Sequence, residues 1–84
     1  MNNKQRKTLE AIFRNPVSKT MVFEDMESLL RSLDCDIEEG DGSRVIFVKD
    51  KVHLELHRPH PQKEAKPYQV RAVRKFLTDI GEKP

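Results

Sequence analysis

The chain has no tryptophan and few aromatics of any kind, 6% of its 84 residues, which argues against a large hydrophobic ligand cavity. It has a single cysteine, Cys35. With no partner for an internal disulfide, that residue suits a reducing, cytoplasmic compartment. Asp34 and Asp36 flank it, and negative neighbours raise a thiol pKa, so Cys35 reads as structural. No apolar run approaches the roughly 20 residues of a membrane span, and no signal peptide is read at its start. Also missing are a Walker motif, a Gly-x-Ser-x-Gly elbow and a Cys-x-x-Cys pair, which leaves the enzyme classes built on them without support. A chain this short buries only roughly 60% of its unfolded surface, so its core is small and its stability modest.

What is present is charge, and it is segregated. Residues 1–23 carry five Lys/Arg against one acid, residues 24–42 eight acids against Arg31, and residues 43–84 ten bases against five acids. The net +2 therefore hides segments of +4, −7 and +5. Such segregation reads either as an acidic and a basic face, the second suited to a phosphate-backbone partner, or as an unevenly solvated surface.

The most informative stretch runs from Gly40 to Pro61. Gly40 and Gly42 permit a sharp turn. Val45 to Val48 is apolar at every position, which predicts a central strand covered on both faces. Asp50-Lys51 reads as a hairpin connection. Val52, Leu54 and Leu56 then alternate with His53, Glu55 and His57, the period of a strand with one buried face. Upstream, Ile37 is the inward residue of a short strand over 36–39.

The periodicity predicts a helix over 22–33, with Phe23, Met26, Leu30 and Leu33 on one face, Leu29 alongside, and acids in its first turns. A stripe containing Met reads as core rather than as a cofactor site. An earlier helix, capped by Asn3 and running to about Arg14, carries only Leu9, Ile12 and Phe13 as a stripe before Asn15-Pro16 stops it. So short a stripe predicts a loosely packed docking segment, and Lys4, Arg6 and Lys7 beside it read as a solvated flank. The chain thus divides into a helix and linker over 1–21 and a domain over 22–84. After the strands come the extended Arg58-Pro59-His60-Pro61 exit and a polar loop over 62–66. A last helix opens at Pro67, buries Val70, Val73, Leu77 and Ile80 with Phe76 beside them, exposes Arg71, Arg74 and Lys75, and ends at Gly81. The expected architecture is α+β: two layers, with a three-stranded antiparallel sheet packed by two helices in the order α-β-β-β-α, preceded by an extra N-terminal helix.

Two groups of residues carry chemistry. His53, Glu55 and His57 share a strand face and could ligate a metal, but alternation alone places them together, so they read as solvated residues and no metal site is assigned. His57 and His60, near Arg58, Lys63 and Lys66, suit ribonuclease-type transesterification. Imidazoles move protons near neutrality and cations hold the phosphate. That chemistry implies no cofactor.

The order of elements, the Gly42-Ser43 opening of the hairpin, and the stretch His-Arg-Pro-His-Pro-Gln-Lys-Glu-Ala-Lys-Pro-Tyr-Gln-Val-Arg at 57–71 resemble the HicA toxins of bacterial toxin–antitoxin systems. The resemblance implies a fold similar to the double-stranded-RNA-binding domain, which reads shape, 2′-hydroxyls and phosphates. It also implies a toxin that cleaves RNA (an mRNA interferase) and is held inactive by a HicB-like antitoxin. In the family pattern Gly-Ser/Thr-His the histidine is taken as catalytic; here that position is Arg44. Arginine binds phosphate well but is no general base near neutral pH.

Three readings follow. In the first the chain is a ribonuclease toxin with His57 or His60 as acid/base, and with Ser43, Arg44, Lys49, Arg58, Lys63, Lys66 and Arg71 on the RNA. In the second it binds RNA through the same fold without cutting it. In the third it is a protein-binding module whose basic face docks an acidic partner.

Overall fold

The computed structural model of the chain describes all residues 1–84. Its elements are α1 (Asn3–Ile12), α2 (Phe23–Ser32), β1 (Asp36–Glu39), β2 (Arg44–Lys49), β3 (Val52–His57) and α3 (Pro67–Asp79). The strands form one antiparallel sheet in the order β1-β2-β3. This is the α+β arrangement expected from the sequence.

The hairpin follows from its turn. Asp50 (φ 52°) and Lys51 (φ 68°) both adopt left-handed backbone, the type I′ geometry whose twist matches the flanking strands. A two-residue loop fixes the register, so Lys49 pairs with Val52 and, counting outward, Arg44 pairs with His57. Inward-facing Val45, Phe47, Leu54 and Leu56 are buried with the apolar stripes of the helices in one core of 17 residues. The opposite sheet face is open. Ile46 and Val48 lie on it half-buried, flanked by the exposed His53, Glu55 and His57. The expectation that β2 is covered on both faces is therefore corrected: all helices lie on one side, and the outward aliphatics are shielded only by their strand neighbours.

The helix ends obey local chemistry. Asn2, not Asn3, caps α1: its Oδ1 accepts from Gln5 N at 2.8 Å, and Gln5 Oε1 accepts from Asn2 N at 2.8 Å. Beyond α2, Asp34 turns the chain with a left-handed φ of 60°. At the end of α3, Glu82 N donates to Leu77 O at 2.8 Å and Gly81 N to Thr78 O at 3.1 Å. This is a Schellman closure, with Gly81 at the positive φ (83°) it requires. Ile80, just inside that closure, is half-buried rather than buried.

The N-terminal helix departs most from expectation. Far from packing loosely, α1 buries Thr8, Leu9 and Ile12, with Ile12 fully enclosed. Arg74, expected on the surface, is half-buried and staples α3 to the end of α1. It donates to Ile12 O (2.8 Å), Arg14 O (2.8 Å) and Asn15 Oδ1 (3.1 Å). Gln5 adds a bond to Ser28 Oγ on α2 at 3.0 Å. Cys35 is half-buried beside the core, and its thiol pKa is raised first by burial, with Asp34 and Asp36 contributing less and Lys49 opposing.

Candidate nucleic-acid interface

At the end of the sheet away from the hairpin turn, the first residue of β2 faces the last of β3. There Arg44 and His57 stand side by side on the open face. Ser43, just before β2, brackets His57: its carbonyl accepts from Arg58 N at 2.9 Å, and its Oγ lies 3.3 Å from His57 Nδ1. Arg44 bends over the β1–β2 turn. A Cβ at Gly40 would sit 2.3 Å from its Nε, so this approach requires glycine. That Nε is buried without a partner, while the outer guanidinium makes only a loose pair with Glu55 at 3.9 Å.

The peptide after His57 is fixed from the other side by Gln69. This side chain is 2% exposed, donates to His57 O at 2.8 Å, and accepts from Lys66 N at 3.0 Å. One buried amide thus ties the end of β3 to the start of α3. Between them opens a groove of about 380 Å³ whose lining includes His57, His60, Lys66, Tyr68 and Gln69. No carboxylate lines it, and the positive end of α3 lies beside it.

Arg58 turns the opposite way. Its Nε and Nη2 donate to Glu27 at 3.0 and 2.8 Å, and its Nη1 and Nη2 to Glu39 at 2.7 and 2.9 Å. Glu27 is also held by Arg31 at 2.9 Å. The hydrogen bond from Arg58 is the main cause that lowers both the Glu27 and Glu39 pKa, in Glu27 against a penalty from burial. The two carboxylates, Glu39 first, in turn hold the Arg58 charge in place. This clasp joins α2, β1 and the exit from β3, and it lines a second groove that also holds Glu24 and Lys63. The acidic segment and the basic segment therefore meet at Arg58 rather than forming two undisturbed faces.

The sequence-selected residues now sort by position. Ser43, Arg44 and His57 meet at the sheet end, and His57, His60 and Lys66 share the carboxylate-free groove. Arg71 is exposed one turn along α3 from Tyr68. Lys63 lies on the acidic side. Lys49 stands at the hairpin end of β2 and donates to Leu33 O. Arg58 lines both grooves but is engaged by its acids. Sequence reasoning missed Gln69 and Tyr68. For Gln69 a signal existed, since Gln three residues after a helix N-cap is the reaching half of a capping box. Tyr68 could have been singled out as the one aromatic following a basic loop.

The sequence model of the HicA toxin of bacterial toxin–antitoxin systems matches residues 23–81. The chain belongs to the HicA toxin family. No curated protein and no solved structure gives a significant match to it. The matched span of this HicA chain begins at the first residue of α2 and closes at Gly81, so α1 lies outside the region that defines the family although it packs into the same core. The α2-β1-β2-β3-α3 unit is the part that carries the groove.

Proposed function

We propose that this toxin binds and cleaves RNA in the cytoplasm, with His57 supplying the proton transfer that the Gly-Ser/Thr-His pattern assigns to position 44. One observation carries the reading: His57 is the direct cross-strand neighbour of Arg44 and lies 3.3 Å from Ser43 Oγ, so an imidazole stands beside the position where the family pattern has its own. Arg44 and Lys66 hold the phosphate. An imidazole then removes the proton from the ribose 2′-hydroxyl, and O2′ attacks phosphorus. The bond from phosphorus to the 5′-oxygen breaks, and that oxygen takes a proton from the second imidazole. The products are a 2′,3′-cyclic phosphate and a 5′-hydroxyl, with atoms and charge balanced and no co-reactant consumed. A HicB-like antitoxin neutralises the toxin by covering the groove, so antitoxin and RNA compete.

The test is a gel assay of a long RNA in EDTA across pH 5 to 8. The expected outcome is cleavage peaking near neutrality, reduced about 100-fold or more by His57→Ala, with RNA binding retained. RNA that is retarded on a native gel yet never cut would instead establish the binding-only reading, which Arg44 at the family's histidine position favours.

A further inference from the structure

Tyr68 is the exception among this chain's aromatics. Phe23, Phe47 and Phe76 are buried, and Phe13 packs partly covered against the core. Tyr68 is 57% exposed. In a chain with a core this small, leaving its only tyrosine in water forgoes apolar burial that would stabilise the fold. Helix phase holds the ring there: α3 directs Gln69, Val70 and Val73 inward and Tyr68 outward in its first turn. Its ring lines the same carboxylate-free groove as His57, His60 and Lys66, and Arg71 stands at the i+3 position, where helix neighbours meet. The surroundings suit a polyanion, and an aromatic face beside bound phosphate suits a nucleobase.

From this placement, and resting on the RNA reading above, we infer that Tyr68 is a stacking platform for an unpaired base, and that the groove takes single-stranded RNA in preference to duplex. In a duplex the faces of the bases are covered by their neighbours, and an A-form helix offers proteins 2′-hydroxyls, phosphates and shape, none of which calls for an aromatic ring. An unstacked base offers its face, and a ring flanked by cations captures it with little regard to sequence. Tyr68 thereby positions the strand: the stacked base anchors one nucleotide while Lys66 and Arg71 hold its backbone, bringing the neighbouring phosphodiester to His57 and His60.

The chain reports on this contact itself. Tyr68 is its single tyrosine and there is no tryptophan, so intrinsic emission arises from this one ring. The experiment titrates the full chain, carrying His57→Ala so that the RNA stays uncut, with a short dye-labelled RNA strand whose 2′-hydroxyls are intact, and with the same strand annealed to its complement. Dye anisotropy and tyrosine emission are both followed. The expected result is tighter binding of the single strand than of the duplex, with quenching of tyrosine emission by the single strand alone. Tyr68→Ala should weaken single-strand binding about 5- to 150-fold, the worth of one stacked base, with duplex binding unchanged; Tyr68→Phe should bind like the parent. Single-strand binding with unquenched emission and no loss in Tyr68→Ala overturns the stacking inference and leaves the RNA reading intact. Preference for the duplex overturns it as well. Failure to bind either form overturns both. The quenching arm, read on the unsubstituted ring, decides the matter even where Tyr68→Ala unfolds.

Discussion

Arg58 commits four of its five N–H donors to Glu27 and Glu39, and at 31% side-chain exposure it is half withdrawn from water. In the sequence it sits in a run of bases and reads as a phosphate ligand. In the fold its partners come from 31 and 19 residues away. Its main work is structural, since Glu27 is only 11% exposed and would be left with Arg31 alone. Arg58→Ala is expected to cost about 2 kcal/mol, less than a fully buried pair because one side is open to solvent. Urea denaturation measures that loss, and RNA affinity of the folded fraction should change little. The clasp also sets a pH dependence. The folded Glu27 pKa lies below its ordinary value near 4.5, so the stabilisation is complete above that value and disappears as pH falls through the lowered one. Tm should drop more steeply below pH 4.5 in the parent than in Arg58→Ala, and parallel curves would disprove the assignment.

Among the elements, the hairpin was the most legible in sequence, because strict alternation in β3 and a two-residue connection leave one register. The run Val45 to Val48 misled, since four consecutive apolar residues look alike whether helices cover one face or both; only the placement of α1, α2 and α3 on a single side decides it. The site was legible in part. His57, His60 and Lys66 are close in sequence and stay close in space, whereas the clasp partners of Arg58 and the carbonyls that hold Arg74 come from distant segments that no local pattern announces. The hairpin turn also contains avoidable strain. Lys51 adopts φ 68°, a conformation that costs a residue with a Cβ about 1 kcal/mol. Lys51→Gly is therefore expected to stabilise the protein by roughly 0.5–1 kcal/mol, raising Tm by about 2–8 °C. Scanning calorimetry that shows no gain would mean that the Lys51 side chain compensates elsewhere.

For the whole molecule, the family span and the folding unit differ. Residues 23–81 define the family, yet Leu9, Ile12 and Met21 belong to the common core, and Met21 O accepts from Ala65 N at 2.7 Å. Removing three buried apolar side chains forfeits about 1.5–3 kcal/mol each, against a total stability on the order of 4–13 kcal/mol for a chain of this size. A chain starting at Phe23 is expected to lose its cooperative thermal transition by circular dichroism. A truncated form that melts like the parent would make α1 an accessory rather than a core helix.

The close approach of Gly40 to Arg44 makes the two positions an epistatic pair. A methyl group at 40 collides with the arginine Nε and must expel the side chain from its seat over the turn. Gly40→Ala is thus expected to weaken RNA binding in the parent by displacing a cation it never touches in sequence. With Arg44→His, which restores the family's tripeptide at 42–44, the shorter imidazole should clear position 40 and the same change should become nearly neutral. A double-mutant cycle on RNA affinity reads that coupling directly. Its size would show how far the arginine variant of this toxin depends on one glycine that a histidine-bearing relative could do without.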